Sequence, residues 1–204
     1  MTDRAAAIPA LAEAFREYGF EGASLAQLCE ATGLGKGSLY NFFPGGKEEM
    51  AEAVLADVSA WFAANVFEPL ERAAAGDVSA IGAMLDAVTD YFQSGQRVCL
   101  QGAFALGRER DRFTDRIHGY FEQWIASLAA ALRARGQDEQ QAQASAVDTV
   151  AAIQGAIVLS RALGQPDAFR QVIGRQRARL TAVPACSLSS SVPPGTSRSP
   201  RTGR

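Results

Sequence analysis

The chain has 204 residues, of which 48% are hydrophobic and 21% charged, a balance typical of a globular protein and not of a disordered one. No apolar run reaches the roughly 18 residues that cross a bilayer, and the N-terminus lacks the pattern of a signal peptide. The net charge of −2 gives no overall basic excess. We therefore expect a cytoplasmic protein without a membrane partner.

The spacing of the cysteines and the absence of known catalytic motifs both argue against an enzyme and against a bound metal or cofactor. Cys29, Cys99 and Cys186 are odd in number and widely spaced, which predicts neither a disulfide framework nor a metal cluster. Neither a nucleophile elbow, a phosphate-binding loop, a dinucleotide fingerprint nor HExxH is found. We expect no enzyme, metal or cofactor. The role of Cys99, structural or redox-sensing, stays open.

The first predicted element is a packing helix over residues 5–18. Ile8, Leu11 and Phe15 fall on one helical face, and Gly19 ends the helix.

The stretch 24–43 then predicts two short helices joined by a tight turn. Ser24 is a good N-cap, and Gln27 three residues later completes a capping box. Gly33 supplies the left-handed residue that ends the first helix. A second helix follows from Lys36, so the pattern is that of a helix-turn-helix motif.

The second of these helices has two unlike sides. Its apolar side carries Leu39, Phe42 and Phe43. The other side offers hydrogen-bond donors, one flat ring and a missing side chain: Lys36, Gly37, Ser38, Tyr40 and Asn41. Such a surface suits a phosphate backbone and base edges better than solvent, which predicts binding of double-stranded DNA in the major groove.

At these residues the chain resembles the TetR family of transcriptional repressors. The resemblance covers 24–43, a lysine at Lys47 and the long helix after it, and the continuation GGKEEMAEAVL is similar, more loosely, to the lincomycin-resistance-type branch. Two positions depart from the family. Gly35 stands where a capping Ser or Thr is usual, and Asn41 stands where His, Tyr or Arg is frequent. Asn41 bonds either a phosphate or an adenine edge.

The resemblance implies a one-component regulator that binds a palindromic operator as a homodimer. Phosphates are then held by Ser24, Lys36, Tyr40 and Lys47, and bases are read by Ser38 and Asn41, with close approach at Gly37; Gln27 and Gly35 complete the interface. One feature opposes this reading, because residues 1–50 hold four basic side chains against seven acidic ones.

Beyond the motif the periodicity predicts further helices and no strand. We expect a long helix over 47–67, a break at Glu68-Pro69, a helix capped by Asp77 and a loop with a short helix over 94–107. The charged run 108–116 is interpreted as a solvated connector. The last helices are expected at 113–136, 138–163 and 166–182.

The family resemblance also implies a small hydrophobic effector and a dimer seam in this larger region. Candidate effector residues are the aromatic and apolar side chains of the middle helices, with two polar ones: Trp61, Phe62, Met84, Phe92, Cys99, Phe104, His118, Phe121 and Trp124. Candidate dimer residues come from the last two helices: Ala146, Val150, Ile153, Ile157, Phe169 and Ile173. Aromatic residues at helical spacing are also typical of a core.

The predicted fold is therefore all-α. It has a three-helix DNA-binding domain over 1–46, a larger helical ligand-binding and dimerisation domain over 47–182, and a disordered tail over 183–204. The alternative to a ligand-released repressor is a helical small-molecule-binding protein with weak or lost DNA binding, which the acidic N-terminal region favours.

Overall fold

A computed structural model describes residues 3–73 and 79–182, and within these ranges the chain is helical without strands. The helices are α1 Arg4–Gly22, α2 Leu25–Thr32, α3 Lys36–Phe42, α4 Gly46–Phe62, α5 Glu68–Glu71, α6 Ser79–Tyr91, α7 Leu100–Leu106, α8 Thr114–Ala134, α9 Glu139–Leu163 and α10 Pro166–Thr181. The predicted cap Asp77 and the tail 183–204 lie outside the described residues.

Helices α1 to α3 form the N-terminal unit, and short polar residues set their limits. Asp3 caps α1 by accepting a hydrogen bond from the amide of Ala6 at 2.8 Å. Gly19 has a φ of 69°, which interrupts α1 where the sequence predicted its end and leaves one further turn. The predicted capping box of α2 is present, and Gly33 is left-handed at its end.

The long helix after the motif runs further than predicted. Helix α4 passes into a π-helical turn, Ala63–Phe67, and this continues into α5. The predicted break at Glu68-Pro69 is wrong, because Pro69 lies in the first turn of α5, where a proline's missing N–H costs no helical hydrogen bond. The regular α-helical hydrogen bonding is interrupted instead at the π-helical turn Ala63–Phe67.

Helix α9 is the centre of the larger region and packs between α8 and α10. Asp138 caps it through the amide of Gln141 at 2.8 Å, and Gly164 ends it in the left-handed conformation. Both limits agree with the sequence. Helix α10 also packs on α6, which closes the bundle.

Two helical stretches, Gly46–Glu71 and α9, are long and apolar enough by composition to cross a membrane. This test tolerates charged residues within the window, whereas the sequence expectation concerned an uninterrupted apolar run. In the fold 44% of the apolar window of Gly46–Glu71 and 39% of that of α9 are buried. Helix α9 thus keeps apolar surface that residues 3–73 and 79–182 do not cover.

Candidate functional site

Helix α3 presents its polar side to solvent and buries its apolar side. Leu39 and, just after the helix, Phe43 are fully buried, which fixes the rotation of α3 against α1 and α2. The outward side consists of the predicted set, all of it exposed: Lys36, Gly37, Ser38, Tyr40 and Asn41. Tyr40 keeps 43% of its surface exposed, although a tyrosine ring gains by burial. This side of α3 is an uncovered polar surface, which we call the α3 face.

Gly35, which precedes α3, and Gly37, on the α3 face, are not required by packing in the free protein. A Cβ atom on Gly35 or Gly37 would meet no atom within 4 Å. Gly35 occupies the N-cap of α3 with φ −68° and ψ 157° and makes no side-chain cap, so any residue could adopt its backbone. Gly37 lies inside α3, where glycine costs about 0.5–1 kcal/mol relative to alanine. A glycine kept at position 37 despite this cost is consistent with a partner that approaches the backbone closely there.

Ser24 and Gln27 lie at the start of α2 and bond mainly to each other. The Ser24 hydroxyl donates to Gln27 Oε1 at 2.8 Å and accepts from the Gln27 amide at 3.3 Å. Gln27 Oε1 also accepts from the Ser24 amide at 2.8 Å. Ser24 remains exposed despite its cap role.

Lys47 has protein partners instead of the open position predicted for a phosphate contact. Its ammonium donates to the carbonyl of Phe20 at 2.8 Å and to that of Glu21 at 3.4 Å. It also lies 4.7 Å from the centre of the Phe20 ring. Because these carbonyls are at the end of α1, Lys47 ties α4 to α1 and compensates unpaired acceptors there. In the free protein Lys47 is therefore a structural link between α4 and α1, and its contact with DNA stays a prediction.

The acidic excess of the N-terminal unit is partly neutralised by arginines from the rest of the chain. Glu13 pairs with Arg97 at 2.7 Å, as well as with Arg16 at 2.8 Å. Glu48 lies 3.6 Å from Arg112. The count of charges over 1–50 therefore overstated the negative character of this unit.

The charged run after α7 is more than a solvated connector. Arg116, in the first turn of α8, donates to Glu52 of α4 at 2.6 Å. Arg112 reaches Glu48 of the same helix and lies over the Phe20 ring at 5.8 Å. The run thus attaches the start of α8 to the helix that follows the recognition motif.

Aromatic rings make the second attachment between the two parts of the chain. Phe104 of α7 lies 6.2 Å from Phe15 and 5.9 Å from Phe20, both on α1. Phe113 joins the group at 5.3 Å from Phe20 and 5.4 Å from Phe104. Phe104 is therefore part of this inter-helix contact, not of an effector site as predicted.

Most of the other predicted effector residues belong to a packed core. Phe62 is fully buried, and its ring lies 5.2 Å from Trp124 and 5.9 Å from Phe92. Trp61 packs against Phe62 at 5.2 Å, and Met84 is 1% exposed. These rings fill the space between the helices, so the prediction of an aromatic-lined pocket here is wrong.

His118 is also wrongly assigned to a pocket. Its side chain is 70% exposed on α8, with Nδ1 3.4 Å from the Glu122 carboxylate one turn later. His118 is thus a surface residue with a carboxylate neighbour.

A pocket of about 570 Å³ does open between α7, α8 and α9, beside the predicted region. Only Cys99 and Phe121 of the predicted effector residues line it. The remaining wall is made of small and aliphatic side chains with two polar ones: Val98, Gly102, Ala103, Ala105, Leu106, Gln154, Gly155, Ile157, Val158 and Arg161. We call this space the α7–α9 pocket. Its walls were missed because small residues on adjacent helices carry little signal in a sequence.

Two buried polar atoms in and behind this pocket make no hydrogen bond of ordinary geometry with the part of the chain that the structure describes. Gln154 lies beside the Cys99 thiol, but its Nε2 is buried and makes no hydrogen bond of ordinary geometry. The Tyr120 hydroxyl, also buried and next to Cys99, is in the same condition. Burial raises the pKa of the Cys99 thiol, against smaller lowering effects from the Gly102 amide, Gln154 and Tyr120. The thiol is therefore protonated and a poor nucleophile.

The residues predicted for a dimer seam face inward. Each is at most 5% exposed in the single chain: Ala146, Val150, Ile153, Ile157, Phe169 and Ile173. A second chain could not reach them without repacking the core, so this prediction is wrong. The outward side of α9 instead exposes Val147 by 43%, Val158 by 63%, Leu159 by 52% and Leu163 by 59%. These four residues define the α9 face.

Comparison with known proteins decides the family. The model described as bacterial regulatory proteins, tetR family, matches residues 8–54, and that described as transcriptional regulator LmrA/YxaF-like, C-terminal domain, matches 78–175. The chain belongs to the TetR family of transcriptional regulators. Its larger part is of the LmrA-like branch, and the chain is a DNA-binding regulator, not an enzyme.

Relatives agree with this assignment over most of the chain. The HTH-type transcriptional regulator LmrA of Bacillus subtilis is 27% identical over 151 residues, covering 72% of this chain and 79% of LmrA. A TetR-family regulator from Agrobacterium tumefaciens has the same fold, with a TM-score of 0.73, 18% identity, and 88% and 100% of the two chains covered. The regulator CifR, a cysteine mutant complexed with 26bp double-strand operator DNA, gives 0.70 at 24% identity over 86% and 95%.

Proposed function

We propose that the protein is a repressor that binds a palindromic operator as a homodimer in the cytoplasm and is released by a small apolar effector. The observation that carries the proposal is the α3 face, a set of polar side chains and an unneeded glycine on a helix whose rotation is fixed by buried Leu39 and Phe43. The family relative CifR was solved with operator DNA, which supports the same partner here.

On DNA the α3 face would divide its work between phosphates and bases. Lys36 at the start of α3 supplies a cation, and Ser24 and Tyr40 supply hydroxyl groups at the edges of the surface. Ser38 and Asn41 lie where side chains reach base edges, and Gly37 leaves room for the groove wall. Lys47 is left out of this set, since its ammonium already bonds to α1.

The dimer would use the α9 face. Val147, Val158, Leu159 and Leu163 are large apolar side chains that one chain leaves in water, and a second copy related by a two-fold axis would cover the same patch on both. A two-fold protein presents two α3 helices to the two halves of a palindrome. The predicted use of the last helices is kept, with the opposite side of α9 as the contact.

Helix α7 offers the route from effector to DNA. On one side Gly102, Ala103 and Ala105 line the α7–α9 pocket, and on the other side Phe104 contacts Phe15 and Phe20 of α1. A ligand that prefers one position of α7 would therefore bias the position of the DNA-binding unit. The ion pairs of Arg112 and Arg116 with α4 add a second link.

A gel shift against DNA from immediately upstream of the protein's own gene tests the operator part. We expect a discrete complex that survives excess unrelated DNA. The variant Tyr40→Ala should weaken the complex, whereas Arg133→Gln, which removes an exposed arginine at the far end of α8, should not. A folded protein that binds no fragment at low salt would favour the alternative, a small-molecule-binding protein without DNA binding.

In vitro transcription from the bound fragment tests the sign of regulation. A repressor lowers the transcript yield as the operator fills, in proportion to the shifted fraction. Unchanged or increased transcript at full occupancy would contradict repression while leaving DNA binding intact.

A further inference from the structure

We propose that the effector of the α7–α9 pocket is an amphipathic anion, whose acid group is held by Arg161 and whose apolar body lies along α9. This inference rests on the proposed effector function and changes the expected ligand from a wholly apolar molecule to one with an apolar body and an acid group.

The pocket combines an apolar wall with a cation at its edge. Leu106 is 90% exposed although it lines the pocket, so a ligand would cover apolar surface that now meets water. Arg161 is two turns further along α9 than Gln154, about 10 Å at 1.5 Å per residue. A ligand lying between them would contact Ile157 on the same side of the helix.

Arg161 is not neutralised by a carboxylate within the described part of the chain. Its guanidinium donates to the carbonyl of Gln96, and it takes part in none of the ion pairs found there. A backbone carbonyl leaves the positive charge uncompensated and several N–H donors available. An anion at the pocket edge would satisfy both.

The surroundings of the segment 96–98 are positive as well. Arg16 donates to the Val98 carbonyl at 3.2 Å, Arg97 belongs to the segment itself, and Arg161 bonds Gln96. The carboxylate paired with this group is Glu13, which Arg16 and Arg97 share. In a chain of net charge −2, this local excess of cations beside an apolar pocket favours an anionic ligand over a neutral or cationic one.

The floor of the pocket favours a ligand that also accepts a hydrogen bond. Among the described residues, the buried Gln154 Nε2 has only the neighbouring Cys99 thiol and makes no hydrogen bond of ordinary geometry, a condition that costs free energy until a better acceptor is present. An acceptor on the ligand body would remove this cost at the end opposite the acid.

The test compares two fluorescent probes that share one apolar body. 8-Anilinonaphthalene-1-sulfonate carries an anionic group, and N-phenyl-1-naphthylamine is the same body without it. We expect the full-length protein to bind the sulfonate at least about tenfold more tightly, the size of one charge-assisted contact. Arg161→Met should remove this preference without changing the affinity for the neutral probe. Arg161→Lys should keep part of it.

Controls distinguish a direct effect of Arg161 on probe binding from a loss of folding and from an effect on DNA release. Arg133→Met removes a remote exposed arginine and should leave both affinities unchanged, and melting followed by circular dichroism checks that each variant is folded. Equal affinity for the two probes, or an unchanged sulfonate affinity in folded Arg161→Met, would overturn the inference. Sulfonate binding that depends on Arg161 but does not release operator DNA would support the ligand class and count against effector-controlled release. Release by both probes at equal concentration would support that regulation and overturn the anion preference.

Discussion

The α3 face and the α9 face are both incomplete surfaces, and they are incomplete in opposite ways. On α3 the uncovered groups are polar, among them Lys36 and Asn41, and the apolar side is fully buried. On α9 the uncovered groups are Leu159, Leu163 and their neighbours, which water solvates poorly. Donors without acceptors match a polyanion, and apolar side chains without cover match another apolar surface. One chain thus carries two surfaces that suit two different kinds of partner.

The largest effect should come from charging the α9 face. The double variant Leu159→Asp with Leu163→Asp would place two carboxylates in the proposed seam, where an unpaired charge costs several kcal/mol. We expect a monomer by sedimentation and a loss of operator affinity of at least about 100-fold, since the second half-site contact is lost. Gln123→Asp, on the exposed side of α8, is the matched control and should remain dimeric. A double variant that stays dimeric would place the seam elsewhere.

Removing the cation of the α3 face should have the next largest effect. Lys36→Gln should lower affinity about tenfold at low salt for operator and random DNA alike, because a phosphate contact carries no sequence information. The slope of log affinity against log salt should fall by about 0.9 per phosphate lost, or roughly 2 for a dimer. An unchanged slope with altered sequence preference would instead make Lys36 a base contact.

A third variant separates the two readings of Lys47. If its role is to tie α4 to the end of α1, Lys47→Met should lower the free energy of unfolding by about 1 kcal/mol through lost charge-assisted hydrogen bonds. Its salt slope on DNA should match the wild type. Unchanged stability in urea with a shallower slope would restore the phosphate contact that the sequence suggested.

The smallest effect is expected at Gly37, where a substitution should raise stability and lower DNA affinity. Gly37→Ala should raise the free energy of unfolding by about 0.5–1 kcal/mol, because the new methyl group meets open space in a helix. It should weaken operator binding severalfold if the backbone approaches DNA there. Gly35→Ser adds a cap at the neighbouring exposed site and serves as the control for a bulkier group that is expected to be tolerated. Tighter DNA binding by Gly37→Ala would remove the reason given for this glycine.

The limits of the helices were predicted well from the sequence. Which side of each larger helix is buried was predicted poorly. Helix limits depend on local residues such as Asp138, Gly164 and the Ser24–Gln27 box, so they were readable. The α3 face was readable too, because polar residues on a short amphipathic helix identify the solvent side. Helix α9 is apolar or small on most of its circumference, and which side is buried depends on α8 and α10, which periodicity does not show.

The same reason explains the misplaced effector residues. Large aromatic side chains such as Phe62 and Trp124 were predicted to line a pocket, but they are the groups that gain most by packing on one another. The pocket arose where side chains are small, at Gly102, Ala103 and Gly155, and long-range pairing of α7 with α9 determines that space. Likewise, the sequence does not show that Lys47 has a protein partner, because only the fold places its ammonium 2.8 Å from the Phe20 carbonyl oxygen at the end of α1.

The most direct test of this account is the mass of the protein in solution, alone and on its operator, by sedimentation equilibrium at micromolar concentration. We expect twice the 21.6 kDa chain mass for the free protein, and an even number of chains on each duplex. A free monomer that binds DNA as a single chain would contradict the account, since the α9 face would then lack a second copy and the two α3 faces would lack the symmetry that a palindrome requires.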